Sequence, residues 1–243
     1  MTDGTSAIVV GVGAEPGIGA ALTRKLAREG YHVFIGGRTR DRLEAFAKKC
    51  AAEDGGAVTA VETDTTKEND VIRLFDAAEE QGAVDIVCYN AGNNFMSPLK
   101  EMEADFFETA WRVGCLGGFL IGREAARRMT PRGGTPIFTG ASASLRGKPP
   151  FAAFASAKAG LRSLAQAMAR EFGPERLHVA HVIIDGGVDG DILQQRFPQM
   201  VEERGESGLL NPDAIADNFW HLHKQHKTTW SFEVDLRPYK ETF

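Results

Sequence analysis

The sequence has little cysteine and no pattern that would use it. Its three cysteines, Cys50, Cys88 and Cys115, are an odd number within 243 residues, and no two of them have the Cys-x-x-Cys spacing. This argues against a disulfide framework and a structural zinc site, and it favours a reducing compartment. The segment MTDGTSAIVVGVG has neither the basic start nor the apolar stretch of a signal peptide. We therefore expect a cytoplasmic protein.

A basic excess and a long apolar run are also missing. Lysine and arginine number 28 against 33 aspartate and glutamate residues, which gives a formal net charge of −5 and a pI near 5.7. A protein with this charge balance has no excess of positive charge that would attract nucleic acid or anionic membranes. No apolar run approaches the roughly 18 residues that a transmembrane helix needs. The rest of the composition, 43% hydrophobic and 25% charged, is that of a globular protein.

Short apolar segments rich in β-branched residues alternate with longer segments of helical periodicity. The predicted strands are 7–12, 31–35, 57–62, 84–89, 136–139, 177–184 and 230–234, and the predicted helices are 17–29, 40–52, 68–81, 104–129, 151–172 and 212–223. Apolar strands separated by helices indicate parallel strands buried on both faces. We predict the α/β class, with one Rossmann-type doubly wound sheet in a single domain over residues 1–243. The stretch 185–210 has no predicted element, which is typical of a functional loop or a surface excursion.

A glycine-rich turn follows the first predicted strand and opens a helix. Its glycines, Gly13, Gly17 and Gly19, have the spacing GxxxGxG. Glycines let the chain turn sharply and bring backbone N–H groups against a pyrophosphate, and the helix start adds unpaired donors and the positive end of the helix dipole. The context therefore favours dinucleotide binding over a merely structural turn.

Two later motifs extend this pattern. The fourth predicted strand ends in Asn90-Ala91-Gly92, and the helix 151–172 contains Phe154 four residues before Lys158. Together with the glycine turn, the chain resembles the short-chain dehydrogenase/reductase family over nearly its whole length. That family has an Asn-Ala-Gly motif at the end of strand four and a Tyr-xxx-Lys pair on a helix. Within the family, the chain resembles a subgroup with Phe replacing the active-site Tyr.

The resemblance implies a set of cofactor contacts along the chain. The glycine turn would line the pyrophosphate, the residues after strand three would contact adenine, the Asn-Ala-Gly motif would lie under the adenine ribose and the central cofactor, and the lysine would hold the nicotinamide ribose. The implied cofactor-binding residues are Gly13, Gly17, Ile18, Gly19, Arg38, Asp64, Thr65, Asn90, Ala91, Gly92, Lys158, Gly186 and Val188.

The end of the second strand bears on the choice of cofactor. An acid there usually holds a ribose 2′-hydroxyl, and an arginine holds a 2′-phosphate. The sequence has no acid at that point and has Arg38, whose guanidinium matches phosphate geometry. Glu15 in the glycine turn argues the other way, because its charge repels a phosphate. We therefore expect NADP(H), with NAD(H) as the alternative, and no metal.

The catalytic residues depart from the family pattern. Phe154 stands at the tyrosine position, Ala141 at the serine position and Gly114 at the position of a supporting asparagine. Of the four catalytic side chains only Lys158 remains, and Ser142 is the nearest hydroxyl to the serine position. Because a positioned acid or base is worth about 10²–10⁴-fold, ordinary ketone reduction should be slow.

Three functions remain open. The first is hydride addition to an activated C=C bond, with Asn93 or Asn94 binding a carbonyl and Ser142 or Ser144 orienting it. The second is carbonyl reduction with Ser142, Asp185 or a water as the proton donor. The third is a non-catalytic module that binds or senses NADP(H). The Pro-Gly that the family has after strand six reads Asp185-Gly186 here.

Several surrounding segments complete the predictions. The substrate pocket is expected from 93–99, 145–151 and 185–210, with Arg146 and Lys148 either attracting an anionic substrate or solvated on a loop. Small-residue faces on helices 104–129 and 151–172 favour a homodimer or homotetramer. The cluster His221, His223 and His226 is expected to close a helix rather than bind metal. Aromatic residues of the tail are expected in the core or a subunit interface: Trp230, Phe232 and Tyr239.

Overall fold

The computed structural model describes residues 5–13, 15–92, 94 and 96–242. Its strands are β1 Thr5–Val10, β2 His32–Gly37, β3 Val58–Glu62, β4 Ala83–Tyr89, β5 Thr135–Thr139, β6 Ala180–Ile184 and β7 Glu233–Leu236. Its helices are α1 Ile18–Arg28, α2 Arg40–Asp54, α3 Glu68–Glu79, α4 Ala104–Trp111, α5 Gly117–Met129, α6 Ala152–Phe172, α7 Asp191–Arg196, α8 Pro198–Arg204 and α9 Pro212–His223. None of the described helices is both long and apolar enough to cross a membrane.

All seven strands are parallel and lie in one sheet in the order β3-β2-β1-β4-β5-β6-β7. The strand order reverses between β1 and β4, so the carboxyl ends of these two strands border a crevice. In open α/β sheets, ligands bind in the crevice at such a reversal. The predicted α/β class and Rossmann-type fold are confirmed.

Alternate residues of the strands face two separate apolar layers. In β1, Ala7 and Val9 belong to the layer under α1, α2 and α9, whereas Ile8 and Val10 belong to the layer under α3, α5 and α6. Successive side chains of a strand point to opposite faces, so a central strand buried on both sides must be apolar at every position. This is why the strands read as continuous apolar runs in the sequence.

The predicted helix 104–129 is interrupted. A π-helical turn, Arg112–Leu116, separates α4 from α5, and the carbonyl of Val113 within it accepts a hydrogen bond from the buried Tyr89 hydroxyl. Gly117 follows the turn, and a Cβ atom there would lie 2.5 Å from the Tyr89 hydroxyl. A wide helical turn next to a buried partner has no periodicity signal, so the sequence predicted one continuous helix.

Three other predictions about elements were wrong in part. The stretch 185–210 is not irregular throughout, because it contains α7 and α8. The sixth strand begins at Ala180 rather than 177, and the last strand is Glu233–Leu236 rather than 230–234. Trp230 precedes the last strand and stacks on His178, with the ring centroids 4.7 Å apart. Tyr239 is 80% exposed and is therefore not part of the core.

Candidate active site

The glycine turn lies against two neighbouring backbone segments. A Cβ on Gly11, whose φ is +86°, would meet the backbone of Asn90 and Ala91 at 2.5 Å, and one on Gly19 would meet the Gly11 carbonyl oxygen at 2.5 Å. These contacts bring the ends of β1 and β4 and the start of α1 within van der Waals distance of one another. Gly13 differs, since a Cβ there would have no neighbour within 4 Å.

The start of α1 offers unpaired donors beside this turn. Gly17 precedes the helix without a side-chain cap, and no acidic residue stands in the first turn, which contains Ile18 and Gly19. The first amides of a helix have no partner inside the helix and attract anions. Exposed Gly13 and these amides therefore fit a pyrophosphate, both by shape and by donor chemistry.

Two glycine substitutions separate packing from ligand contact. We expect Gly19→Ala to lower the free energy of unfolding by about 1–3 kcal/mol, because its Cβ meets backbone that cannot move aside. Gly13→Ala should leave unfolding within about 0.5 kcal/mol and still weaken nucleotide binding, because its methyl group enters the space of the ligand. Urea unfolding and calorimetric titration measure the two effects. Unchanged nucleotide affinity in Gly13→Ala would contradict the placement of the pyrophosphate.

The Asn-Ala-Gly motif continues the same crevice. Asn90 donates its backbone N–H to the Val10 carbonyl at 3.0 Å and its side-chain N–H to the Gly11 carbonyl at 3.1 Å. Gly92 is exposed, and a Cβ there would lie 3.5 Å from Nζ of Lys158. The motif thus connects the glycine turn to the lysine. The predicted residue Asn93 lies outside the described residues.

Lys158 is buried at the centre of the crevice. Its ammonium donates to the Thr139 carbonyl at 2.7 Å, and the side chain is 5% exposed. Burial lowers the pKa of Lys158 to about 8, since the charged form loses its hydration. An ammonium has three donors, so two remain for a ligand such as a pair of ribose hydroxyls. Nζ lies 5.8 Å from the centroid of the Phe154 ring, which carries no hydroxyl.

The predicted adenine contacts lie on the loop between β3 and α3. The carboxylate of Asp64 accepts hydrogen bonds from the backbone N–H and the hydroxyl of Thr66, at 3.0 and 2.8 Å. Thr65 is buried, so its side chain belongs to the packing under the loop. Asp64 is half-buried.

Of the two residues that bear on the 2′-phosphate, Arg38 lies at its predicted place and only Glu15 differs from expectation. Arg38 follows β2, is exposed and has no hydrogen-bond or ion-pair partner among the described residues. Glu15 does not project a free charge, because its carboxylate pairs with Arg24 at 2.6 Å and with Lys49 at 3.2 Å. The predicted repulsion of a phosphate by Glu15 is therefore offset by two cations.

The segment after β6 closes the far side of the crevice. Asp191 at the start of α7 donates its N–H to the Pro16 carbonyl of the glycine turn at 3.1 Å. Val188 forms an isolated bridge with Leu210. A Cβ on Gly186 would lie 2.9 Å from the Pro238 ring, so the tail packs directly on this segment. The segment therefore touches the glycine turn at Asp191, while Gly186 and Val188 contact the tail and Leu210.

Comparison with known proteins matches this geometry. The short chain dehydrogenase family profile matches residues 7–201. The chain belongs to the short-chain dehydrogenase family.

Individual relatives agree with this assignment. A crystal structure of a short-chain dehydrogenase from Rhodopseudomonas palustris is 38% identical, with a TM-score of 0.81, and the match covers 97% of this chain and 99% of that one. An alcohol dehydrogenase from Thermococcus sibiricus, solved with 5-hydroxy-NADP, is 28% identical, with a TM-score of 0.85 and 98% of both chains covered. The oxidoreductase YuxG of Bacillus subtilis, itself uncharacterized, is 32% identical over 211 residues; the match covers 85% of this chain, which spans only 30% of that relative's length.

The positions predicted for proton transfer have distinct surroundings. Gly114 lies in the π-helical turn, where a Cβ would meet the Ala157 methyl group at 2.7 Å, so a larger side chain does not fit. Ala141 precedes a short 3₁₀ turn, Ser142–Ser144. The Ser144 hydroxyl donates to the Ala141 carbonyl at 2.7 Å, whereas the Ser142 hydroxyl has no partner among the described residues.

Two features of the site were missed or misread from the sequence. Asp185, considered as a proton donor, is buried and paired with Arg146 at 2.8 Å and with Arg237 at 3.6 Å. Arg146 is thus held in an ion pair and is not a solvated charge on a loop. Arg237 was missed, because no motif in the sequence marked this residue of the tail. The predicted position of the histidines at a helix end is confirmed, because His221 and His223 lie in the last turn of α9. His223 bonds to Tyr31 and Thr135. No group of three potential metal ligands occurs in the part of the chain that the structure describes.

Proposed function

We propose that this chain is an NADP(H)-dependent reductase of an activated C=C bond. The observation that carries the proposal is the pairing of a buried lysine with a phenyl ring. Lys158 keeps two donors toward the crevice beside Gly92, while Phe154 stands where a phenol would supply a proton. The cofactor-binding surface is therefore intact, and the usual acid is absent.

The chain's own residues hold the cofactor in this proposal. The exposed backbone at Gly13 and the first amides of α1 receive the pyrophosphate, Asp64 faces the adenine, and Lys158 donates to the nicotinamide ribose. When bound, the reduced nicotinamide would supply a hydride to an electron-poor carbon of the substrate. The hydride's two electrons would form the new C–H bond, the π electrons of the C=C bond would shift onto the conjugated carbonyl, and a proton from water would then complete the adjacent carbon, leaving the nicotinamide oxidised.

A C=C bond conjugated to a carbonyl needs no phenol. The negative charge that develops is delocalised onto the carbonyl oxygen, so a hydrogen bond from the Ser142 hydroxyl is sufficient to stabilise it. Direct ketone reduction instead requires a proton at the oxygen in the same step. Asp185 does not provide it, because both of its carboxylate oxygens face arginines.

Rapid mixing with NADPH tests the reaction. The loss of NADPH absorbance is followed with enones, enoyl thioesters, ketones and quinones, and Lys158→Ala is the control. Turnover of enones or enoyl thioesters above this control supports the proposal. Turnover of ketones alone would favour the carbonyl reductase, and NADPH binding without turnover of any compound would favour the non-catalytic module.

Arg38 supports NADP(H) as the cofactor. It is the exposed cation at the end of β2, and Glu15 is neutralised by Arg24 and Lys49. The Thermococcus sibiricus relative was solved with a hydroxylated NADP. We predict that Arg38→Gln weakens NADPH binding by about tenfold and leaves NADH binding unchanged, since only NADPH carries the phosphate. The exposed Arg42→Gln on α2 is the matched control, and tighter binding of NADH than NADPH by the unmodified protein would contradict this choice.

Exposed aromatic residues on α4 and α5 support self-association. Phe107, Trp111 and Phe119 are each about two-fifths exposed on these neighbouring helices. Large apolar side chains on one face mark an interaction surface. We propose a cytoplasmic homodimer or homotetramer. Light scattering at low protein concentration should give at least twice the mass of one chain, 26.3 kDa, and the mass of a single chain would contradict it.

A further inference from the structure

An ion-paired arginine borders the substrate side of the crevice. Nη2 of Arg146 lies 2.8 Å from Oδ1 of Asp185, and the Asp185 side chain is only 5% exposed. Arg237, from the segment after β7, approaches Oδ2 of the same carboxylate at 3.6 Å. A buried carboxylate fixed between two guanidinium groups cannot rotate away from either one, so it holds Arg146 in place.

The register of the sheet places this pair beside the reacting groups. Thr139 at the end of β5 pairs with Val182 of β6. Ser142 lies three residues after Thr139, and Asp185 lies three residues after Val182. The backbone N–H of Arg146 donates to the Ser142 carbonyl at 3.1 Å. Arg146 therefore stands over the same edge of the sheet as Ser142 and the carbonyl of Thr139, which holds Lys158.

The Arg146 guanidinium retains donors for a ligand. It has five N–H donors, of which Asp185 takes one in the contact described above. No other hydrogen bond of this group occurs within the described residues, and the side chain is about one-third exposed. Two further cations lie in the neighbouring segments: Arg237 pairs with Asp185 and Asp235, and the exposed Lys148 follows Arg146 by two residues on the same loop.

We propose that Arg146 binds an anionic group of the substrate, a carboxylate or a phosphate, so that the compound reduced is an organic acid. The inference rests on the proposed function and names the substrate class of that site. A planar fork of donors matches a carboxylate or phosphate in two parallel hydrogen bonds, and such charge-assisted bonds are among the strongest in proteins. Asp185 is a positioning residue, because it acts on the substrate only by orienting Arg146.

The test compares two probes that differ in one charge. The protein loaded with NADP⁺ is titrated calorimetrically with 4-oxopent-2-enoate and with its methyl ester. We expect the acid to bind about tenfold more tightly than the ester, as one charge-assisted contact predicts. Arg146→Gln should abolish this ratio, Arg146→Lys should keep part of it, and the exposed Arg170→Gln on α6 should keep all of it.

Further arms identify the anion and separate the two proposals. Displacement of the bound acid by acetate identifies a carboxylate site, and displacement by inorganic phosphate identifies a phosphate site; both support an anion-binding arginine. Equal affinity for acid and ester in the unmodified protein, an unchanged ratio in Arg146→Gln, or no binding of the acid would overturn the inference. NADP⁺ binding, recorded first in the same cell, reports separately on the cofactor part of the proposed function.

Discussion

The double variant Phe154→Tyr/Ala141→Ser should raise the turnover of simple ketones with NADPH by about 10²–10⁴-fold. Position 154 precedes Lys158 by one helical turn of α6, and the present ring already lies 5.8 Å from Nζ. A phenol there gains an ammonium neighbour that lowers its pKa and makes it a useful acid. The serine adds a hydroxyl at the end of β5 to orient the carbonyl. Steady-state kcat/KM for a panel of ketones measures the gain.

A phenol at the residue that caps the start of α6 provides the control for this variant. Phe151→Tyr adds a hydroxyl at the residue before α6, outside the one-turn spacing to Lys158, and should leave ketone turnover unchanged. NADPH affinity should be the same in both variants, because neither substitution touches the glycine turn. Ketone turnover that stays at the original level in the double variant, with the cofactor bound, would show that the site no longer presents a carbonyl to the hydride.

Lys158→Met should have two large effects, a gain in stability and a loss of NADPH affinity. Removing an ammonium that is buried with a single carbonyl partner is expected to stabilise the fold by about 1–3 kcal/mol. The same change removes the donors to the nicotinamide ribose, so NADPH affinity should fall by about tenfold or more. A substitution that raises stability and removes function is typical of a position whose side chain is kept for function at a cost in stability. Urea unfolding and calorimetric titration measure the two effects.

The pH dependence of unfolding identifies the cause of the stabilisation. The pKa of Lys158 is about 8 in the folded protein against 10.5 as the reference value, so the unfolded chain binds more protons between these values. The contribution of this group to stability therefore rises as pH increases through that window, and it is unfavourable below it. Lys158→Met should lose this rise, and Lys227→Met, at an exposed turn, should retain it. A Lys158→Met protein less stable than the original at neutral pH would contradict the account.

The fold, and the positions of the residues proposed to hold the cofactor, could be predicted because they depend on local signals. Continuous apolar strands indicated a parallel sheet, and glycine spacing located the turn at Gly13–Gly19. The positions of Phe154 and Lys158 on one helix face followed from a four-residue interval. These patterns involve residues close in sequence, so one chain is enough to reveal them.

The substrate half of the site depends on contacts between distant segments. Arg146, Asp185 and Arg237 come from three loops that only the folded sheet brings together. The neutralisation of Glu15 by Arg24 and Lys49 is of the same kind. The π-helical turn depends on a buried hydroxyl from β4. No periodicity or spacing within a segment encodes such pairings.

Calorimetric titration of the folded protein with NADPH tests the central claim most directly. The crevice formed by the glycine turn, the Asn-Ala-Gly motif and Lys158 should bind a nicotinamide dinucleotide although position 154, one turn before the lysine, has no phenol. The account predicts a saturable heat with one site per chain, weakened by Lys158→Met. No heat with NADPH, NADP⁺, NADH or NAD⁺ from a protein shown to be folded would contradict it.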